Sequence, residues 1–355
     1  MKHHLNTLFI QTQGTYLARE GEAVLVKVER QVKLRVPVHN LGGIVCFGRV
    51  GLSASLMGLC GERGVAISML SEGGMFRARI NGFTSGNVLL RRQQYRLTDD
   101  PAGSAAIARA MVSAKVANGR SVLLRALRDN AELPQKAELD AGARKMGMAL
   151  EQLQPPATGV AALSLDSVRG LEGEAAATYF GVFDHLIVAQ KPDAGTPGGF
   201  AFRTRSRRPP LDAVNALLSF LYAMLGHDAR SACECTGLDP QVGFLHRDRP
   251  GRAGLALDLM EEFRPYLADR LALSLINRRQ VSPTGFTITE SGAVNMDDPT
   301  RKAVLSAYQK RKQEQVIHPY LGEKVSVGLL IHLQARLLAR HVRGELDAYP
   351  AFIWK

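Results

Sequence analysis

The chain has 355 residues, with 46% hydrophobic and 22% charged positions, which describes a folded protein too long for one ordinary core and points to two domains. Its formal net charge of +12 is spread along the chain, so a folded face for a polyanion is expected, nucleic acid before an acidic membrane surface. Cys46, Cys60, Cys233 and Cys235 are too few and too irregular for a disulfide scaffold, and Cys233-Glu-Cys235 lacks the second pair of a zinc site.

The first quarter is β-patterned. Short apolar or alternating runs predict strands at Thr7–Gln11, Ala23–Val28, Lys33–Val38, Ile44–Phe47, Val65–Leu70 and Met75–Ile80. Asn40-Leu-Gly-Gly43 and Glu72-Gly-Gly74 punctuate them, and Ser53–Glu62 reads as a short helix ending before Gly64. From about Val88 the spacing turns helical. Helical segments are expected over 104–128, 135–153, 158–187, 211–226, 252–279, 298–316 and 322–345, with breaks at Pro155-Pro156, Pro209-Pro210 and Pro283. The Gly/Pro-rich stretch 190–210 is expected to be a mobile loop. The predicted class is α+β in two domains: a small β-rich domain over 1–96 and a larger all-α domain over 97–355. No run of about 18 apolar residues occurs, and the start at Met1-Lys-His-His-Leu has no secretory pattern, so a soluble cytoplasmic protein is expected.

Carboxylates and one imidazole are the groups most suited to chemistry. Asp258 and Glu261 are spaced i, i+3 and share a helix face, and His246 precedes them after the apolar Gly243-Phe-Leu. Burying Asp258 within Leu-Ala-Leu-Asp-Leu-Met requires a partner or a metal. The bland alternative is an ion pair to Arg264 or Arg252. Glu172, between two glycines in Arg169-Gly-Leu-Glu-Gly-Glu174, is read at the opening of a helix, where capping is its structural alternative. Such a donor set suits Mg²⁺ or Mn²⁺ rather than a thiolate-loving ion.

Arg203, Arg205, Arg207 and Arg208 fall within six residues and are candidates for a phosphate clamp, against the alternative of a solvated face. Arg77 and Arg79 alternate on a predicted strand and could extend a basic face. Asn215 and Tyr222 are seven apart on an apolar helix. They either support metal ligands from behind or bridge two helices, and spacing does not choose between these. No phosphate-binding P-loop, His-Glu-x-x-His or Gly-x-Ser-x-Gly pattern is present, against an ATP-driven motor, a zinc protease or a serine hydrolase.

Four segments together resemble the CRISPR-associated integrase of the spacer-acquisition module, the Cas1 family. They are Arg169-Gly-Leu-Glu-Gly-Glu174, Arg207-Arg-Pro-Pro-Leu-Asp-Ala-Val-Asn215, Gly243-Phe-Leu-His246 and Leu257-Asp-Leu-Met-Glu-Glu-Phe-Arg-Pro265. Their order and the β-then-α layout match over nearly the whole chain. His39-Asn-Leu-Gly-Gly-Ile-Val-Cys-Phe-Gly48 and Gly86–Tyr95 resemble the branch accompanying type I-C systems. The resemblance implies metal ligands at Glu172, His246 and Glu261, with Asp258 as an additional acidic position, placing a water or a second ion. Some family members carry Asp where this chain has Glu261. It further implies a homodimer, a small partner (Cas2), and joining of protospacer 3′-hydroxyl ends to a CRISPR repeat in double-stranded DNA. A degradative or repair endonuclease and a non-catalytic DNA scaffold are the competing readings.

Overall fold

The structure is a computed structural model that describes residues 6–72, 76–82, 87–129, 135–155, 163–191 and 199–354. The chain forms two compact units. Met1–Ser85 with Met296–Gln313 make the first, and Gly86–Asn295 with Glu314–Lys355 make the second.

The first unit opens with β1 (Asn6–Ile10), β2 (Thr15–Glu20), β3 (Ala23–Val28), β4 (Gln31–Pro37), β5 (Leu41–Phe47) and β6 (Val50–Leu52). Helix α1 (Ala54–Glu62), β7 (Ala66–Leu70) and β8 (Phe76–Ile80) follow. Two four-stranded sheets result, in the orders β1-β5-β7-β8 and β4-β3-β2-β6. β5 is central and parallel to both neighbours, so both its faces are covered and it reads as a continuous apolar run. Gly42 and Gly43, expected to break the chain, instead lie inside this strand. Leu17, Val24, Ile44 and Ile67 share a core with Leu56, Leu59 and Cys60 of α1. Ser53 caps α1, its Oγ accepting the Leu56 amide at 3.3 Å.

The second unit begins with α2 (Val88–Asp99), then α3 (Pro101–Asp129), α4 (Lys136–Gln152), α5 (Leu165–Gly181) and α6 (Ala213–Thr236). Short α7 (Gly254–Glu261) and α8 (Arg270–Asn277) are joined by a π-helical turn, Arg264–Asp269. The single helix expected over 252–279 is thus interrupted, with Pro265 in the wide turn. α6 continues ten residues beyond the predicted end at 226. It stops where Gly237 adopts a left-handed conformation (φ 83°).

The C-terminal third is not purely helical. β9 (Phe286–Ile288) pairs with β10 (Val294–Met296), α9 (Asp298–Gln313) follows, β11 (Gln315–Ile317) pairs with β12 (Lys324–Ser326), and α10 (Val327–Val342) comes last. The expected all-α domain therefore carries ribbons whose three-residue strands are too short to show a period of two. α9 belongs to the first unit, where Gln309 Nε2 donates to the Thr7 carbonyl at 3.0 Å. Of the expected loop over 190–210, residues 192–198 lie outside the described residues, as do Met75 in the β8 prediction and 158–162 in the α5 prediction. No helix among the described residues is long and apolar enough to cross a membrane.

Candidate metal centre and its basic cleft

Asp258, on α7, is fully buried. Its Oδ2 accepts the amides of Phe244 (2.6 Å) and Leu245 (2.9 Å), and its Oδ1 accepts the amide of His246 (3.0 Å). The same Oδ1 lies 2.5 Å from His246 Nδ1. A carboxylate acceptor at Nδ1 fixes the ring with a proton on that side and turns Nε2 toward Glu261. Neither an arginine pair nor a free carboxylate is seen here. Both oxygens of Asp258, the residue expected to place a water or a second ion, are engaged by the His246 loop.

Two glycines permit this approach. A Cβ on Gly243 would stand 2.6 Å from Asp258 Oδ2, and one on Gly254 would stand 2.8 Å from the Gln241 carbonyl. Gln94 on α2 pins the start of the loop, its Nε2 donating to the carbonyls of Asp239 (2.9 Å) and Val242 (2.8 Å). Arg169 on α5 pins the end, its Nε donating to the Leu245 carbonyl at 2.7 Å.

Glu172 lies within α5, whose N-cap is Ser164, so it is not at a helix opening and does not cap one. Glu261 ends α7 with its side chain only 2% exposed. The His246 Nε2 to Glu261 Oε1 distance is 3.9 Å. Between the two glutamates sits a group that the motif reading missed. Lys115 of α3 pairs with Glu172 and lies 2.8 Å from Glu261 Oε2. Arg264 Nη1 holds the other oxygen of Glu261 at 2.9 Å. Burial alone would raise the Glu261 pKa, but Arg264, Lys115 and His246 outweigh it and bring it down to about 2. Glu261 is therefore a carboxylate throughout the physiological range.

Two carboxylates and one imidazole are suitable donors for a hard divalent ion. Among the described residues, no group of three His, Cys, Asp or Glu side chains stands ready to hold an ion as arranged. The ammonium of Lys115 is what Glu172 and Glu261 share. Glu261 Oε2 is buried and accepts no well-directed hydrogen bond, only that neighbouring charge. The chemistry of these donors suits a hard divalent cation, and the Lys115 ammonium is paired with both carboxylates.

The site opens into a cleft of about 390 Å³ whose walls include Glu172, His246 and Glu261 together with Arg169, Arg207, Arg247, Arg249, Arg252 and Arg264. A concave surface so rich in guanidinium suits phosphate oxygens. A second cavity, of about 360 Å³, shares Glu172, Arg207 and Arg264 with the first and adds Lys115, Tyr179, Phe180, Arg203 and Tyr222.

The four clustered arginines divide. Arg203, Arg207 and Arg208 are exposed, and the first two line these cavities. Arg205 turns inward: Nη1 donates to Asn215 Oδ1 at 2.7 Å, Nη2 to Ser219 Oγ at 3.1 Å, and its guanidinium lies 5.2 Å from the Tyr222 ring centre. Among the described residues, Asn215 bonds to no second helix and to none of Glu172, His246 and Glu261. It ties the approaching loop to the start of α6, donating to the Thr204 carbonyl and accepting the Ser206 amide. Tyr222 stacks on Arg264, 4.9 Å from its ring, and Arg264 in turn holds Glu261, while the tyrosine hydroxyl donates to Asp269 at 2.7 Å. Arg77 and Arg79 lie on β8 in the other unit, and Arg79 Nε is held by Asn81 at 3.0 Å.

Residues 8–310 match the family described as CRISPR associated protein Cas1. A curated relative, CRISPR-associated endonuclease Cas1 1 of Chlorobaculum tepidum, is 51% identical over 355 residues, covering 100% of both chains. Among solved structures, a casposase bound to integration product is similar, with a TM-score of 0.79 at 20% identity over 98% of this chain and 94% of that one. The Cas6-RT-Cas1–Cas2 complex is similar with a TM-score of 0.76 at 20% identity, over 99% of this chain and 36% of that one.

Proposed function

Since this chain belongs to the Cas1 family of CRISPR-associated proteins, we propose that it is a divalent-metal-dependent DNA endonuclease and integrase that joins protospacer ends to a CRISPR repeat. The observation that carries this reading is the convergence of Glu172, His246 and Glu261 in one arginine-lined cleft.

In this reading the three residues hold the ion, Mg²⁺ or Mn²⁺, through two carboxylates and the imidazole Nε2. When bound, the ion supplies Lewis-acid stabilisation of charge developing on the attacked phosphodiester. The chain's own groups supply the rest. Asp258 keeps the His246 ring oriented and its Nδ1 protonated. Arg264 holds Glu261 ionised and in place. Arg207, Arg247, Arg249 and Arg252 hold the backbone phosphates on either side of the reacting one, so that a 3′-hydroxyl is delivered in line with its leaving oxygen. One phosphodiester replaces another, so no ATP is required.

DNA duplex and a small Cas2 partner are the proposed companions. The structural likeness to a chain named for a Cas1–Cas2 complex supports the second. The first unit, with Arg77 and Arg79, is assigned to homodimer formation and further DNA contacts, in a cytoplasmic assembly of the type I-C branch.

The test is strand transfer of a labelled short duplex into a supercoiled plasmid carrying a repeat, with Mn²⁺ and the partner present. Covalent joining that EDTA and His246→Ala both abolish is expected. Cleavage without joining would favour a degradative nuclease, and joining that survives His246→Ala would remove the ligand assignment.

A further inference from the structure

Lys115 is unusual in its setting. It lies in Ala110-Met-Val-Ser-Ala-Lys-Val-Ala-Asn-Gly119 of α3, whose neighbouring positions Met111, Val112, Ala114 and Val116 are all buried. Its side chain is only 13% exposed. A buried ammonium is costly unless paired, and both of its partners here are the carboxylates assigned above to the metal. The pairing solves a problem for the ion-free protein, since two ionised glutamates facing one another would repel. Glu261 Oε2 shows the imperfect side of the arrangement: buried, close to the ammonium, yet without a well-directed hydrogen bond. A spherical ion places no such directional demand on a carboxylate oxygen.

We propose that Lys115 is the resident cation of the ion-free centre, holding Glu172 and Glu261 at the place a divalent ion takes, so that the ion binds by displacing the ammonium. This rests on Glu172, His246 and Glu261 being the ligands. Lys115 is then a positioning residue. It keeps the carboxylates gathered before loading, at the expense of affinity, because each binding event must first break its two ion pairs. The released ammonium has room to move, since Lys115 lines the 360 Å³ cavity beside the site with Arg203, Arg205 and Arg207.

Mn²⁺ binding to the full-length protein, followed by the loss of free-ion electron paramagnetic resonance signal, tests this without any reaction being run. Lys115→Met is expected to bind Mn²⁺ about tenfold more tightly than wild type, a coupling of ordinary size between two exclusive occupants. Its ion-free melting temperature should fall, and the gain on adding Mn²⁺ should grow. Lys115→Arg, which keeps the charge, should stay near wild type. Unchanged or weaker binding by Lys115→Met would overturn the proposal. His246→Ala separates the two claims. If its Mn²⁺ affinity equals that of wild type, the ligand assignment itself fails. If it loses affinity while Lys115→Met gains none, only the role of Lys115 fails. A wild-type readout covers a variant that does not fold. Acetylation of Lys115 by an N-hydroxysuccinimide ester, followed by mass spectrometry, should accelerate when Mn²⁺ is added. Slower or unaltered acetylation with Mn²⁺ bound would contradict displacement.

Discussion

His246 Nδ1 lies 2.5 Å from Asp258 Oδ1, and the same carboxylate gathers the backbone amides of residues 244, 245 and 246. One buried side chain thus sets both the tautomer of the histidine and the path of the loop that carries it. Asp258→Asn removes the charge and turns one acceptor into a donor. Mn²⁺ affinity is expected to drop roughly 10- to 100-fold, the usual consequence of losing a partner behind a ligating histidine. Isothermal titration measures it, and an affinity equal to wild type would show that the ring needs no such support. Gly243→Ala should act in the same direction, because the added methyl meets Asp258 Oδ2 at 2.6 Å.

Glu261 is the meeting point of three positive or protonatable groups: Arg264, Lys115 and His246. Glu261→Gln leaves the buried Arg264 without its carboxylate. Breaking one partner out of a buried ion pair costs about 3–5 kcal/mol. Urea unfolding in EDTA should report a loss of that order, together with loss of Mn²⁺ binding. A variant as stable as wild type would mean that Tyr222 and Glu172 suffice to hold Arg264 and Lys115.

Glu262, the next residue, points the opposite way, accepting the Phe352 amide (2.6 Å), the Tyr349 hydroxyl (2.5 Å) and Gln334 Nε2 (3.0 Å). Burial pushes its pKa up from 4.5 to about 7 despite these donors. The folded state therefore holds a proton that the unfolded chain has released over this interval. The contribution is fully present below pH 4.5 and is lost as pH rises through 7. At about 1.4 kcal/mol per unit, it amounts to roughly 3 kcal/mol. Asp269, raised by burial from 3.8 to about 6, acts with the same sign at lower pH. Unfolding free energy should fall between pH 5 and 8 in wild type and fall less in Glu262→Gln. Equal slopes would show that Glu262 titrates normally.

The arginines should separate by what they hold. Arg249→Ala with Arg252→Ala removes two walls of the cleft. The slope of log affinity for duplex DNA against log salt is expected to flatten by about 2, near 0.9 for each phosphate no longer neutralised. Arg205→Ala should leave that slope nearly unchanged and lower the melting temperature instead, because its guanidinium is committed to Asn215 and Ser219. A large slope change for Arg205→Ala would place it on DNA.

Much of this was legible in the residue pattern, and the misses have physical causes. Strand β3 and helix α1 follow from periodicity and a serine cap. β2 and β6 escaped because the apolar residues of Thr15–Glu20 are consecutive rather than alternating and Val50–Leu52 is three residues long. α2 was missed although its apolar positions favour one face, because it is mostly polar and buries only Leu90 and Gln94. At the site, the ligand positions came from the family motifs, and the i, i+3 spacing correctly put Asp258 and Glu261 on one helix. The apolar run around Asp258 called for a buried partner, but spacing could not tell that the partner would be the His246 loop. Lys115 was readable in principle: a lone lysine within an apolar helix must find a carboxylate. Arg205 was unreadable, because only the fold turns it away from Arg203 and Arg207.

The most direct test of the metal centre is electron spin-echo spectroscopy of Mn²⁺ bound to the wild-type protein, which detects nitrogen coordinated to the ion. A histidine nitrogen coupling in wild type that disappears in His246→Ala is predicted. Bound Mn²⁺ with no nitrogen coupling, or a coupling that persists in His246→Ala, would contradict the centre built on Glu172, His246 and Glu261.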